Sequence, residues 1–554
     1  MKVSDGFLDV RIKPIRGFAL KLSQSFCLPH GGSSHHGKKD ATSAALSYST
    51  DGEGLCYTFN DMFDADVIVI GAGVAGLTCG CLLAKEGVSV LMIEKNQKVG
   101  GCCTSFQRDG FSFDLSVQSM GECQRGGRVW RLLKKLDLLD QIRFIPLEPA
   151  REYHFPDRRV SQSSQLEPHI ENLSSLFPDQ REGIKKVYSV LKNIFEEFSQ
   201  LPSSLNWFDP PSFSSKYPLL AQYKNKTYGE LLDGWITDPS LKTILSIRSS
   251  YALLPPEEIS VTGMAGIEMS YFNYGVSCIE GRVEELPLKL GEAFQKMGGK
   301  ILTGEEVDQI LLEGKRSIGV RLKSGQEMSG KVIVSNIDAH ATFSDLIGQG
   351  HIPSGFRSKL KGMRPCLSYF ILYLGIEGEL DGLSVSNNEV FFNDQLQREY
   401  QALYDNRIPD EASFYLLAPS KVNSSHAPRG KSTLCLSVKA PYHLPAGWGQ
   451  KAKDQLSRLL ITRASAFIPD LEKRILVRVE TTPKTIEQWT GNRWGAAYGW
   501  AQIPSQSGIY RLQRATPIPN LFLTGHWTSP GGGISGVVAS GELTAEAVLN
   551  TFDR

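Results

Sequence analysis

The stretch Asp66-Val67-Ile68-Val69-Ile70-Gly71-Ala72-Gly73-Val74-Ala75-Gly76 decides the architecture. Val67 to Ile70 are β-branched and apolar on both faces, the pattern of a strand buried inside a parallel sheet. The strand ends directly on Gly71. The spacing Gly71-x-Gly73-x-x-Gly76 then supplies a tight turn, close backbone approach to a pyrophosphate, and close helix-to-strand packing. A helix expected to run to about Glu86, with Gly87 at its stop, aims its positive N-terminal end at those phosphates. A second strand over Ser89 to Ile93 delivers Glu94 about 20 residues after the glycines, where a carboxylate accepts hydrogen bonds from ribose hydroxyls. The whole unit reads as a site for an adenosine diphosphate group, the half shared by FAD and NAD.

Working outward, the residues after Glu94 favour the longer cofactor. No second crossover helix follows. Lys95 to Val99 lead into Gly100-Gly101, a loop whose bare backbone suits a ribityl and pyrophosphate chain, and then into Gly110-Phe111-Ser112-Phe113-Asp114. Two distant returns complete the pattern. After Gly281, Leu286, Leu290 and Phe294 mark an amphipathic helix stopped by Gly298-Gly299. A three-stranded meander follows through Val307 to Leu312, the alternating Ile318, Val320 and Leu322, and Val332-Ile333-Val334. Near the C-terminus a strand over Asn520 to Thr524 ends on Gly525, and Pro530-Gly531-Gly532-Gly533-Ile534-Ser535-Gly536 opens the terminal helix. Glycines at a helix N-terminus let N–H groups approach a ring that becomes anionic on two-electron reduction.

With 554 residues, the chain exceeds the size at which one core keeps growing. Its 60 basic and 59 acidic residues leave no global field to attract nucleic acid, so no nucleic-acid partner is expected. The ten cysteines are scattered and read as reduced thiols, with Cys102-Cys103 structural. No metal-ligand cluster or Ser-His-Asp set stands out, and no catalytic residue is assigned. No stretch is long and apolar enough for a membrane-spanning helix, which suggests a cytoplasmic protein with at most a peripheral membrane contact. Residues 1–61 are polar, without periodic apolar pattern, and are expected to lie outside the fold as a disordered extension. They read as a targeting segment or as an upstream start added before Met62.

From Gly121 to Tyr274 the chain turns helical. Ile184, Val187, Tyr188, Leu191, Phe195 and Phe198 recur at helical spacing and read as core, and Thr227-x-x-Glu230 reads as a capping box. Trp207, Phe208, Phe213, Tyr217, Leu219 and Leu220, mixed with Lys216 and prolines, suit a bilayer interface and are a candidate substrate doorway.

These motifs together resemble the phytoene desaturase family of flavoproteins, which includes carotenoid isomerases and retinol saturase. The match runs from about Asp64 to Asn550 and rests on DVIVIGAGVAGLTCGCLLAKEGVSVLMIEK, on RDGFSFD at Arg108 to Asp114, and on TGHWTSPGGGISGVVASG at Thr524 to Gly541. The resemblance implies an α/β fold with non-covalent FAD in a Rossmann-like, two-dinucleotide-binding domain assembled from 62–125, 276–345 and 505–554. An inserted mixed α+β substrate domain would span 126–275 and 346–504. Gly71, Ala72, Gly73, Val74, Ala75, Gly76, Glu94, Lys95, Gly100, Gly101, Val307, Gly525, Gly532, Gly533 and Ile534 would bind the cofactor. The substrate would be an apolar isoprenoid drawn from a membrane surface. Its desaturation or isomerisation is the leading reading; the alternatives are a reductase of an isoprenoid double bond and an amine-oxidase-type enzyme. Two departures stand out: Glu280 and Arg282 are placed by the resemblance near the flavin, and His526 follows Gly525 where many flavoproteins have an aspartate.

Overall fold

The computed structural model describes residues 47–50, 53–56, 64–117, 119–201, 210–380, 388–393 and 395–552. The chain divides at Met62/Phe63 into two units. In the first, Ser47–Thr50 and Glu53–Cys56 form a two-stranded antiparallel ladder, within a stretch where the sequence pattern gave no strand.

In the second unit, the opening motif forms a strand over Ala65–Ile70, a helix over Val74–Lys85 and a strand over Val90–Glu94. Val67, Ile68 and Val69 are fully buried, because the parallel sheet is covered on both faces. Strand order is Lys300–Thr303, Val90–Glu94, Ala65–Ile70, Glu327–Ser335, Arg316–Leu322, Val307–Glu313, and Leu521–Leu523 joins Glu327–Ser335. Glu327–Ser335 ties the sheet together. Its start pairs antiparallel with Gly319–Arg321, and its end runs parallel to both Ala65–Ile70 and Leu521–Leu523. Strands from three separated stretches of chain therefore meet in one sheet. The helix Glu285–Lys296 buries Leu286, Leu290 and Phe294 completely, as their spacing predicts.

The alternation assigned to Ile318, Val320 and Leu322 does not hold. Leu311 pairs with Gly319 but Leu312 pairs with Ser317, so Ile318 is the extra residue of a bulge and faces solvent. A bulge shifts the two-residue period by one, which no count of apolar positions reveals.

A second seven-stranded sheet has the order Arg159–Gln162, Arg151–His154, Asn388–Phe391, Phe414–Leu417, Lys431–Ala440, Ser368–Glu377, Ile475–Thr481. Packed beside each other are the helices Arg181–Ser199 and Val261–Tyr274. The capping box forms at Thr227 and Glu230, opening the helix Tyr228–Asp233. The doorway residues behave otherwise than expected. Trp207 and Phe208 lie outside the described residues, Tyr217 and Leu220 are buried, and Phe213 and Leu219 pack partly buried on the core. Burial of the described members is worth more to the fold than a wet surface position would be.

The helices Val74–Lys85 and Ile534–Phe552 lie against one another, and Gly541 makes the approach possible. A Cβ on Gly541 would stand 2.7 Å from both the Ala75 carbonyl oxygen and Thr78 Cβ. Gly541→Ala is therefore expected to cost about 1–3 kcal/mol by overpacking, read as a lowered chemical-denaturation midpoint at unchanged m-value.

Candidate functional site

Three neighbours lock the glycine loop. Gly71 sits at φ +95°, a conformation that favours glycine, and its carbonyl accepts from Asn336 Nδ2 at 3.1 Å. The Ala72 amide donates to Glu94 Oε2 at 2.8 Å, while Glu94 Oε1 accepts from the Asn96 amide and Nδ2, each at 2.9 Å. The Ala72 carbonyl accepts from the Gly100 amide at 2.8 Å, and the Gly101 carbonyl accepts from Trp489 Nε1 at 3.1 Å. Gly73 caps the helix Val74–Lys85 without any side-chain hydrogen bond. The first-turn amides are thus free of a capping side chain, which fits an incoming pyrophosphate.

Gly71, Gly73, Val74, Ala75, Glu94, Lys95, Gly100, Gly101, Val307, Gly525, Gly532, Gly533 and Ile534 all line one cavity of about 1120 Å³. Ala72 and Gly76 do not reach it. Ala72 is fully buried behind the loop, and a Cβ on Gly76 would collide with the Gly71 carbonyl oxygen, so both serve the packing of helix on strand. Glu280 and Arg282 are not brought to the cavity either. Glu280 pairs with Arg143 at 3.2 Å on the surface, and Arg282 pairs with Glu284 at 3.2 Å, because Val276–Ile279 is drawn into a small sheet with Phe144–Pro146.

At the far wall, the turn before the terminal helix is organised by a buried cation. Arg511 donates through Nε to the Thr528 carbonyl at 2.9 Å, through Nη1 to Trp500 at 3.3 Å, and through Nη2 to His526 at 2.6 Å. His526 lines the cavity, and its Nε2 donates to Asn492 Oδ1 at 3.1 Å, an oxygen that also accepts from Trp527 Nε1 at 3.0 Å. Burial, and secondly the Arg511 charge, push the imidazole down to about 3, so it is neutral at ordinary pH. Gly531, Gly532 and Gly533 of the turn line the cavity, while the Gly525 amide donates to Ser540 Oγ at 2.9 Å.

Away from the glycines the wall becomes aromatic and aliphatic: Ile194, Phe195, Phe198, Tyr251, Tyr369 and Tyr415. Phe195 and Phe198, expected as core, are half-buried cavity residues at the end of their helix. Arg151 also lines this part. Burial pushes the Cys102 thiol up to about 11 and that of Cys103 well above its usual value, so neither is a ready thiolate. Among the described residues no cluster could hold a metal ion, and no helix is long and apolar enough to cross a membrane.

Sequence reasoning missed Asn336, Trp489 and Arg151. Asn336 had a signal, being a polar residue just past the C-terminal end of a parallel strand, where ligands of such sheets bind. Trp489 and Arg151 had none, since each reaches the cavity from the other half of the chain.

Comparison with known proteins matches residues 74–549 to the family of flavin containing amine oxidoreductases. A 4,4'-diapophytoene desaturase (4,4'-diaponeurosporene-forming) of Staphylococcus haemolyticus is 25% identical over 88% of this chain and 99% of its own. A lycopene-forming phytoene desaturase of Paracoccus is 24% identical over 87% of this chain and 97% of its own. Among solved structures, wild-type putrescine oxidase bound to putrescine shares the fold, with a TM-score of 0.59 at 15% identity over 88% of this chain and 99% of that one.

Two outcomes are expected from this geometry. Gly76→Ala should yield protein with markedly less bound flavin, read from the ratio of flavin to protein absorbance, because the displaced Gly71 carbonyl deforms the loop. His526 is held neutral in the fold but protonates below about pH 6.5 once unfolded, so its contribution is complete above that pH and is lost as the pH falls toward 3. The melting temperature of the wild type should therefore drop further between pH 7 and 4.5 than that of His526→Gln, by a few degrees. Equal drops would show that His526 is not held neutral.

Proposed function

The chain belongs to the family of flavin containing amine oxidoreductases and is an FAD-dependent oxidoreductase of the phytoene desaturase type, and from that premise we propose that it oxidises or isomerises an apolar, carotenoid-like polyene. The observation that carries this reading is the continuity of the cavity. Its volume of about 1120 Å³ exceeds the roughly 300–1,000 Å³ of a pocket for one drug-sized ligand. There is room for a cofactor along the glycine walls and a second molecule against the aromatic wall.

Gly71, Gly73, Val74 and Ala75 would hold the pyrophosphate, with Glu94 toward the ribose and Val307 toward the adenine. Lys95, Gly100 and Gly101 would follow the chain of the cofactor, and Gly525, Gly532, Gly533 and Ile534 would face its ring. Bound FAD supplies a two-electron acceptor at the junction of the two halves. The protein's own share is orientation and dryness. Phe195, Phe198 and the tyrosines align a flat conjugated chain and exclude water. His526, neutral and held by Asn492, adds no cation beside the ring.

An amine substrate is the reading the same geometry disfavours. Arg151 is buried in the aromatic part, whereas Glu94, Glu305 and Glu306 stand beside the glycine walls; Glu122, which also lines the cavity, accepts from the Arg128 amide at 3.1 Å, and Asp345 lines it as an exposed residue. An ammonium group there would meet a fixed cation that none of the described carboxylates pairs with. Isoprenoids of this class reside in lipid, so contact with a membrane surface is part of the proposal.

Expression in cells that accumulate phytoene or later carotenes, followed by pigment chromatography, tests the reading. More conjugated or isomerised products are expected. Unchanged pigments, together with flavin bleaching by an amine, would overturn it.

A further inference from the structure

Arg151 is 7% exposed, yet no carboxylate among the described residues pairs with it. Its Nη1 donates to Asn388 Oδ1 and its Nη2 to Ser119 Oγ, each at 3.1 Å, and its guanidinium carbon stands 4.2 Å from the centre of the Tyr251 ring. These bonds occupy two of five N–H donors, and every partner is neutral. The neighbouring Arg248 differs: Nε lies 3.3 Å from Glu268 Oε2, with both side chains buried. Two buried arginines thus share one buried carboxylate, leaving a net positive charge at the aromatic end of the cavity. A buried charge without an opposite partner is costly.

The surroundings are aromatic. The rings of Tyr251 and Tyr415 are tilted at 57° with centres 5.9 Å apart, and both residues line the cavity. Their hydroxyl oxygens are sealed from the cavity, so only the rings meet an occupant. A purely hydrocarbon occupant would leave the guanidinium's remaining N–H groups unpaired.

We propose that Arg151 forms a subsite for an oxygen-bearing end group of the isoprenoid, a carboxylate above a hydroxyl or carbonyl. An ionised carboxylate receives the guanidinium's free N–H groups and cancels the uncompensated charge. A neutral oxygen accepts the same donors without cancelling it, which sets the order of preference. The subsite rests on the polyene reading and sharpens it: the substrate is anchored at one end, and the anchor sets which bond stands at the junction with the cofactor.

The test uses the flavin-loaded full chain and three probes of one carbon skeleton: retinoic acid, retinol and the corresponding hydrocarbon. Binding is followed by quenching of tryptophan emission. The acid should bind at least about tenfold more tightly than the hydrocarbon, as a charge-assisted hydrogen bond provides, with the alcohol between them. Arg151→Gln should abolish that preference while binding the hydrocarbon within about twofold of the wild type, and Arg151→Lys should keep part of it. If the arginine variants do not fold, the methyl ester of retinoic acid serves on the wild type: lacking the charge, it should bind severalfold more weakly than the acid, and equal binding would overturn the subsite. Equal binding of acid and hydrocarbon by the wild type, or an equal loss of both in Arg151→Gln, would overturn the subsite and leave the polyene reading standing. Failure of all three probes to bind would overturn both.

Discussion

The hydrogen bond from the Ala72 amide to the Glu94 carboxylate, 2.8 Å long and buried, joins the end of one central strand to the end of the next. A carboxylate in that position must find donors, because an unpaired buried anion is prohibitive. It finds them in its own neighbourhood, the amide of the glycine loop on one oxygen and both nitrogens of Asn96 on the other. Residue 72 is thereby held while Gly71 and Gly73 present bare backbone to the cavity. Everything else that meets the loop builds on that fixed point. Asn336 holds the Gly71 carbonyl from a third strand, and Trp489 holds the Gly101 carbonyl from the far half of the chain.

The division of labour in the cavity follows from what each half must bind. The glycine half offers amides, helix starts and bare turns, because a cofactor carrying phosphates and a ring that gains negative charge is met best by fixed dipoles. Arg511 extends this logic from behind. It is fully buried and spends its donors on three carbonyls of the turn, so its charge is delivered to the site through a rigid frame rather than by contact. Burial lowers it from the usual arginine value to about 10, which still leaves it charged at neutral pH. The other half is built from side chains, since the apolar length of a conjugated chain has no charge to align and is positioned by shape, with Arg151 left to meet a polar end.

How much of this could be read beforehand depended on whether a residue acts through its neighbours in sequence. Strand, glycines, helix and acid are local, so the opening unit was legible nearly to the residue, and the terminal strand and glycine turn likewise. Leu286, Leu290 and Phe294 were legible because one helix face meets one core. Ile318 was not, because the bulge that turns it outward is decided by its partner strand. Glu280 and Arg282 were misplaced because the resemblance set their position along the chain but not the pairing with Phe144–Pro146 that carries them outward. Tyr217 and Leu220 looked interfacial by composition, yet composition does not say which side of an apolar segment meets the core.

Arg151 marks where such reading stops. It lies at the start of a strand whose pattern suggests nothing unusual, and its neighbour Glu152 pairs with Arg159 on the other side of the sheet at 2.9 Å. Successive residues of a strand point to opposite faces. The alternation that gives Glu152 an ordinary ion pair is therefore the same one that turns Arg151 into the cavity without one. Lys439 and Glu399, both fully buried and 2.7 Å apart, show how this fold neutralises a buried cation when nothing else is required of it. At Arg151 the chain places Asn388, Ser119 and tyrosine rings instead. A cation kept next to the site with neutral neighbours retains its capacity to bind an anion, whereas a carboxylate partner would have consumed it.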